Sequence, residues 1–229
     1  MRMLKFASLP RAFSHLINAL LSFIYPPICI HCESVLSQGY TLICQPCFLE
    51  LEMLSHQERC RNCFNILDTR HAQCTTCKSA LFTGISAVFD YTGAATTFYN
   101  KLKTMHGSYL CRSASSFMAM QYLQTNWPLP DIIVPLPQSW GEMFFNSHHH
   151  TGLIAQELAL LFNRPYQTVF HYHFKKKRFS LANEGILKNK NVLLVGDLLT
   201  TQGKMHQYAE ILAEGYPKNL YGITLCQVQ

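Results

Sequence analysis

Eight cysteines fall into four C-x-x-C pairs: Cys29 and Cys32, Cys44 and Cys47, Cys60 and Cys63, Cys74 and Cys77. A C-x-x-C turn points two thiolates at one metal while backbone N–H groups soften the charge on sulfur, and two such pairs complete a closed tetrahedral site. The chemistry expected is structural, with two Zn²⁺ ions. In the simplest scheme Cys29, Cys32, Cys44 and Cys47 take one ion and Cys60, Cys63, Cys74 and Cys77 the other; interleaved pairing is the alternative. Disulfides would need an oxidising compartment. A thioredoxin-type motif would be one pair inside a βαβ pattern, not four in series. Cys111 and Cys226 stand apart and read as ordinary buried thiols.

A different chemistry is written in Asn191 to Lys204, N-V-L-L-V-G-D-L-L-T-T-Q-G-K. Val192 to Val195 predict a short buried strand, and a helical pattern follows from Met205 to Glu214, stopped by Gly215. A buried strand that delivers hydroxyls and backbone N–H groups to a helix N-terminus is a phosphate-binding geometry. Asp197, just before the turn, is placed to reach the hydroxyls of an attached sugar.

A third stretch, Lys175-Lys176-Lys177-Arg178, is flanked by Phe170, Tyr172, Phe174 and Phe179, with His171 and His173 interleaved. Cations amid aromatics suit single-stranded nucleic acid, which needs backbone neutralisation and base stacking. The plainer alternative is a solvated loop whose aromatics belong to the core. His148, His149 and His150 are adjacent, and neighbouring helical residues point different ways, so one shared metal ion is not expected there.

The elements that must hold these groups come from the rest of the chain. Its 229 residues, 48% hydrophobic, suffice for one α/β domain and a small module. The formal net charge is +6. Two zinc-bound cysteine sets would bring it to about +2, so charge alone says little about nucleic acid. Arg2, Lys5 and Arg11 precede an apolar run from Leu16 to Tyr25 that superficially suggests a signal peptide. Pro10 interrupts its start, no A-x-A-like cleavage site appears, and the run is too short to span a bilayer. An amphipathic helix over residues 1–28 and a cytoplasmic location, without stable membrane insertion, are expected.

The zinc module covers residues 29–80 and the larger domain residues 81–229. Strands are predicted at Ile85 to Tyr91, Ile132 to Val134, Val192 to Val195 and Leu220 to Cys226. Between them Thr97 to Leu123 reads as largely helical, broken near Gly107, with Leu102, Met105, Leu110, Phe117, Met120 and Leu123 inward. A further helix from about Ser147 to Phe162 is capped by Asn146, with Leu153, Ile154, Leu158 and Leu161 inward. The alternation predicts a mostly parallel sheet with helices on its faces. Pro135-Leu136-Pro137 leaves a stiff loop at the carboxyl edge, where such sheets place ligands.

Taken in order, the double cysteine module, a strand ending V-P-L-P, the Phe145-Asn146 helix start and V-L-L-V-G-D-L-L-T-T resemble the ComF family of competence proteins. The resemblance spans nearly the whole chain. It implies a Rossmann-like, type I phosphoribosyltransferase fold behind an N-terminal zinc ribbon. It also implies a role in natural transformation, with incoming single-stranded DNA as partner and a competence helicase or recombination-loading protein as a further one. By position it gives Asp197 as the acid that holds the ribose of phosphoribosyl pyrophosphate, used with Mg²⁺. Thr200, Thr201, Gln202, Gly203 and Lys204 become the 5′-phosphate loop, and Pro135, Leu136 and Pro137 the pyrophosphate loop. Two positions depart from the active pattern: Gly196 stands where a first acid belongs, and Gln202 where the loop glycine belongs. Active phosphoribosyl transfer, and a zinc-ribbon adaptor on a protein partner, are the alternatives.

Overall fold

The computed structural model describes residues 26–36, 42–57, 59–67, 74, 81–138, 150–200 and 203–228. In chain order the strands are β1 (Gly84–Asp90), β2 (Ile132–Pro135), β3 (Phe170–His173), β4 (Arg178–Leu181), β5 (Asn191–Leu199) and β6 (Asn219–Gln227). The helices are α1 (Gln45–Leu49), α2 (Gly93–Leu102), α3 (Cys111–Gln124), α4 (His150–Phe162) and α5 (Lys204–Ala213). Two compact units divide between Glu50 and Leu51. The helix expected before residue 29 and the Phe145-Asn146 helix start lie outside the described residues. Among those described, no helix is long and apolar enough to cross a membrane.

In the larger unit β1, β6, β5 and β2 lie side by side in that order, and every pair is parallel. Strands covered on both faces should read as continuous apolar runs. Ile132 to Val134, Val192 to Val195 and Leu220 to Cys226 are accordingly buried. The chain is thus a parallel α/β structure, as its strand–helix alternation implies.

The helix facing the sheet is registered differently from expectation. Cys111, Ala114, Ser115, Met118, Gln121 and Tyr122 form the inner side of α3, while Met120 and Leu123 are 50% and 64% exposed and Met105 is 66% exposed. Two polar residues claim the inner face through hydrogen bonds. Ser115 Oγ donates to Cys111 O and Ile154 O, and Gln121 Nε2 donates to Leu54 O and Ala87 O. Leu161 of α4 is likewise outward. Burial pushes the Cys111 thiol up to about 11 and Cys226 up to about 12, so both stay protonated at neutral pH.

The knuckles at Cys29 and Cys60 repeat one turn. Glu33 N donates to Cys29 O with Glu33 at φ 61°, and Phe64 N donates to Cys60 O with Phe64 at φ 61°. A short antiparallel bridge closes each turn, Ile28 with Val35 and Arg59 with Ile66. The knuckle of Cys60 and Cys63 belongs to the larger unit, where Ile85 N donates to Arg61 O and Leu54 N to Val88 O.

Candidate functional site

The carboxyl ends of β2 and β5 meet the start of α5 and the end of α2 around a cavity of about 350 Å³. β5 supplies Asp197, with Oδ1 accepting from Leu198 N at 2.9 Å. Thr200 follows, and Gly203 N donates to Thr200 O at 3.1 Å, turning the chain into α5. The conformation of Gly203 (φ −82°, ψ −176°) is open to any residue, so backbone freedom is not what selects glycine. Close approach does: a Cβ at 203 would fall 2.0 Å from Thr200 Oγ1.

Among the described residues no side chain caps α5, and its first turn carries no acid. Its N–H groups and positive dipole end stand beside Lys204 and Thr200 at the cavity wall. Opposite, Lys103 Nζ is ion-paired with Asp197 Oδ2 and lies 5.6 Å from the Tyr99 ring centroid. Asp197 is the one carboxylate lining the cavity among the described residues, against two lysines and a helix N-terminus. The arrangement favours an anion that also carries hydroxyls.

Of the residues singled out in the sequence, Leu136, Pro137, His150, Asp197, Thr200, Gly203 and Lys204 line this cavity, while His148 and His149 lie outside the described residues. Pro135 belongs to the buried end of β2, paired with Val195, behind the lining. Thr201 and Gln202 lie outside the described residues. Lys103, Tyr99, Gln138 and Thr151 line it too, and sequence reasoning does not single them out. The signal for two of them is a tyrosine and a lysine four residues apart at a helix end, a spacing that puts ring and ammonium one turn apart.

Gly196 explains its own departure from the acidic pattern. A Cβ there would come 2.7 Å from Met205 Sδ, 2.8 Å from Leu136 Cδ1 and 3.2 Å from Thr224 Cγ2. The space a first acid would need is filled by apolar side chains beneath the cavity floor.

Cys29, Cys32, Cys44 and Cys47 bring four sulfurs within 4.8 Å of one another, and Cys60, Cys63 and Cys74 bring three; Cys77 lies outside the described residues. Such clusters are able to hold zinc. Burial acts to raise the Cys29 thiol, but N–H groups of Cys44, Cys32 and His31 outweigh it and bring its pKa down to about 6. Hydrogen bonding to Cys44 and burial push Cys47 up. Hydrogen bonding to Ser34 lowers Cys32 as well, and thiolates are the form that binds a divalent cation.

The basic stretch forms a hairpin of β3 and β4, with Lys175, Lys176 and Lys177 at its turn. Phe170 and Phe179 pack on Tyr208 of α5, with centroids 5.0 and 5.4 Å away. His171, His173, Arg178 and Ser180 share the other face. None of the four cations lines the cavity.

The chain matches no family model and no curated protein. Among solved structures it is similar to the purine phosphoribosyltransferase from Pyrococcus horikoshii (13% identity, 52% of this chain and 83% of that one, TM-score 0.37). The hypoxanthine phosphoribosyltransferase of Trypanosoma cruzi is another (15%, 52% and 66%, TM-score 0.33). A third is the HGPRT-ase from Leishmania tarentolae in complex with GMP (14%, 54% and 68%, TM-score 0.34). The residues of the cavity, not these likenesses, carry the functional reading.

Proposed function

We propose that the cavity binds phosphoribosyl pyrophosphate, and that the chain uses this site within a DNA-handling role in natural transformation rather than for rapid turnover. The observation that carries the reading is the placement of Asp197 opposite the α5 N-terminus, with Thr200, Gly203 and Lys204 on one side and Lys103 on the other. Asp197 would take the ribose hydroxyls. The α5 N-terminus with Thr200 and Lys204 would take the 5′-phosphate, and Lys103 and the loop from Leu136 the pyrophosphate. With Asp197 as the single lining carboxylate among the described residues, Mg²⁺ would draw on the ligand's own phosphate oxygens, the hard donors it prefers.

Gly196 weighs against active transfer as the main role. Losing one charge-assisted hydrogen bond to the sugar costs about 1.5–3 kcal/mol, roughly ten- to a hundred-fold in affinity. The single-stranded DNA partner is supported by the ComF resemblance and by the cationic hairpin, and a helicase or recombination-loading partner by the resemblance alone. Calorimetry with phosphoribosyl pyrophosphate and Mg²⁺ tests the ligand: binding in the micromolar to millimolar range is expected, and no heat at millimolar ligand sinks it. Transformation frequency in a deletion strain complemented with Asp197→Ala tests the role.

A further inference from the structure

A second cavity, of about 490 Å³, opens where the first residues of β1 and β6 meet the knuckle around Cys60 and the segment after α3. One wall is aromatic. Trp127 stacks on Tyr221 with centroids 4.8 Å apart and planes 26° apart, and His56 meets the indole edge-on at 6.3 Å. Gly84 makes this wall possible, since a Cβ there would lie 2.5 Å from the indole.

Among the described residues the lining holds Arg59, Arg61 and His56 and neither Asp nor Glu. The two arginines differ. Arg59 is fixed: Nη1 donates to Phe64 O and Gln227 Oε1, and Nη2 lies 3.7 Å from Asp90 Oδ2. Arg61 is exposed, and its guanidinium enters none of the ion pairs among the described residues. Its carbonyl accepts from Ile85 N. A guanidinium outside the ion pairs of the described residues, beside the indole of Trp127, matches a planar ring attached to an anion. Gln124 and Asn126 at the same cavity offer amides, each both donor and acceptor. The volume falls in the range of about 300–1,000 Å³ usual for small-molecule sites.

We propose that this second cavity is a binding site for a phosphate-bearing nucleobase. The base lies against Trp127, which the buried Tyr221 backs, Arg61 takes the phosphate, and Gln124 and Asn126 meet the base edge. A free nucleoside monophosphate and the phosphorylated end of a nucleic acid strand share that chemistry.

Trp127 and Trp140 are the tryptophans of the chain, so Trp140→Phe leaves Trp127 as sole reporter. The zinc-loaded full chain of that variant is titrated with adenosine 5′-monophosphate, ribose 5-phosphate and a 5′-phosphorylated oligodeoxynucleotide. Saturable quenching by the monophosphate and none by ribose 5-phosphate is expected. Adding Arg61→Glu should weaken it by about tenfold or more, and adding Asp197→Ala should leave it unchanged. If the oligonucleotide quenches at lower concentration, with the same weakening on Arg61→Glu, the ligand is a strand end; otherwise it is the free nucleotide. Quenching that does not saturate with either, or that Arg61→Glu leaves intact, overturns the proposal. Because Asp197 belongs to the first cavity, failure here and failure of the phosphoribosyl reading are separable.

Discussion

Lys103 Nζ forms an ion pair with the carboxylate of Asp197, joining the end of α2 to β5 across the cavity that faces α5. The pair fixes the carboxylate of Asp197 at the cavity wall, and it sets the sign of two substitutions. Lys103→Met removes a cation and should weaken inorganic pyrophosphate by about ten- to a hundred-fold. Asp197→Asn removes the negative charge from the lining, so pyrophosphate should bind more tightly while phosphoribosyl pyrophosphate, which needs the ribose hydrogen bonds, binds more weakly. Calorimetry on both variants with both ligands reads this out. Asp197→Asn moving the two ligands in the same direction would mean that Asp197 does not face the sugar.

Restoring the missing acid should fail. Gly196→Asp places a carboxylate among Met205, Leu136 and Thr224, whose nearest atoms lie 2.7–3.2 Å from the new Cβ. Overpacking typically costs about 1–3 kcal/mol, and an unpaired buried charge adds to it. The thermal midpoint should fall by several degrees without a gain in ligand affinity. Met205→Ala in the same chain should recover part of the stability by removing the nearest clash. A Gly196→Asp protein with unchanged midpoint and tighter binding would contradict the packing account.

How far the sequence speaks depends on whether a feature is local. The strands are legible because a parallel sheet buried on both faces writes itself as short apolar runs, and Asp197 with Thr200 is legible because a strand–turn–helix is contiguous. The inner face of α3 is not, because Ser115 and Gln121 pack inward through hydrogen bonds to distant carbonyls while Met120 and Leu123 face out. Lys103 escapes notice for the same reason, since its partner is remote in sequence. The hairpin at Phe170 to Leu181 hides behind its cations, although its alternation of aromatic with His, Arg or Ser is a period-two pattern.

His56 should make stability sensitive to mild acid. Gln121 Nε2 donates to two carbonyls and lies 3.1 Å from His56 Nε2; an amide nitrogen accepts no hydrogen bond, so a proton on that imidazole nitrogen would face it unpaired. Burial, and then the charge of Arg59, lower its pKa below the ordinary 6.5. Between that depressed value and 6.5 the unfolded chain binds more protons than the folded one, so stability falls as pH drops below about 6.5. Denaturant unfolding of wild type and His56→Gln at about pH 7.5 and about pH 5.5 compares the slopes. The variant should lose less on acidification, and equal losses would remove His56 as a source.

The hairpin separates charge from stacking. Lys175, Lys176, Lys177 and Arg178 are exposed, whereas Phe170 and Phe179 turn toward Tyr208, leaving Phe174, 68% exposed, as the aromatic open to a base. Replacing the four cations with Ser should lower the salt-dependence slope of single-stranded DNA binding by up to about 3, at about 0.7 for each phosphate no longer neutralised. Phe174→Ala should weaken binding by about 1–3 kcal/mol with the slope unchanged, because it removes a stacking platform and no charge. Phe179→Ala should act on folding instead, lowering the thermal midpoint. Fluorescence anisotropy across a salt series, alongside thermal melts, distinguishes the three variants. An unchanged slope after removal of all four cations would place the DNA-binding surface elsewhere on the chain.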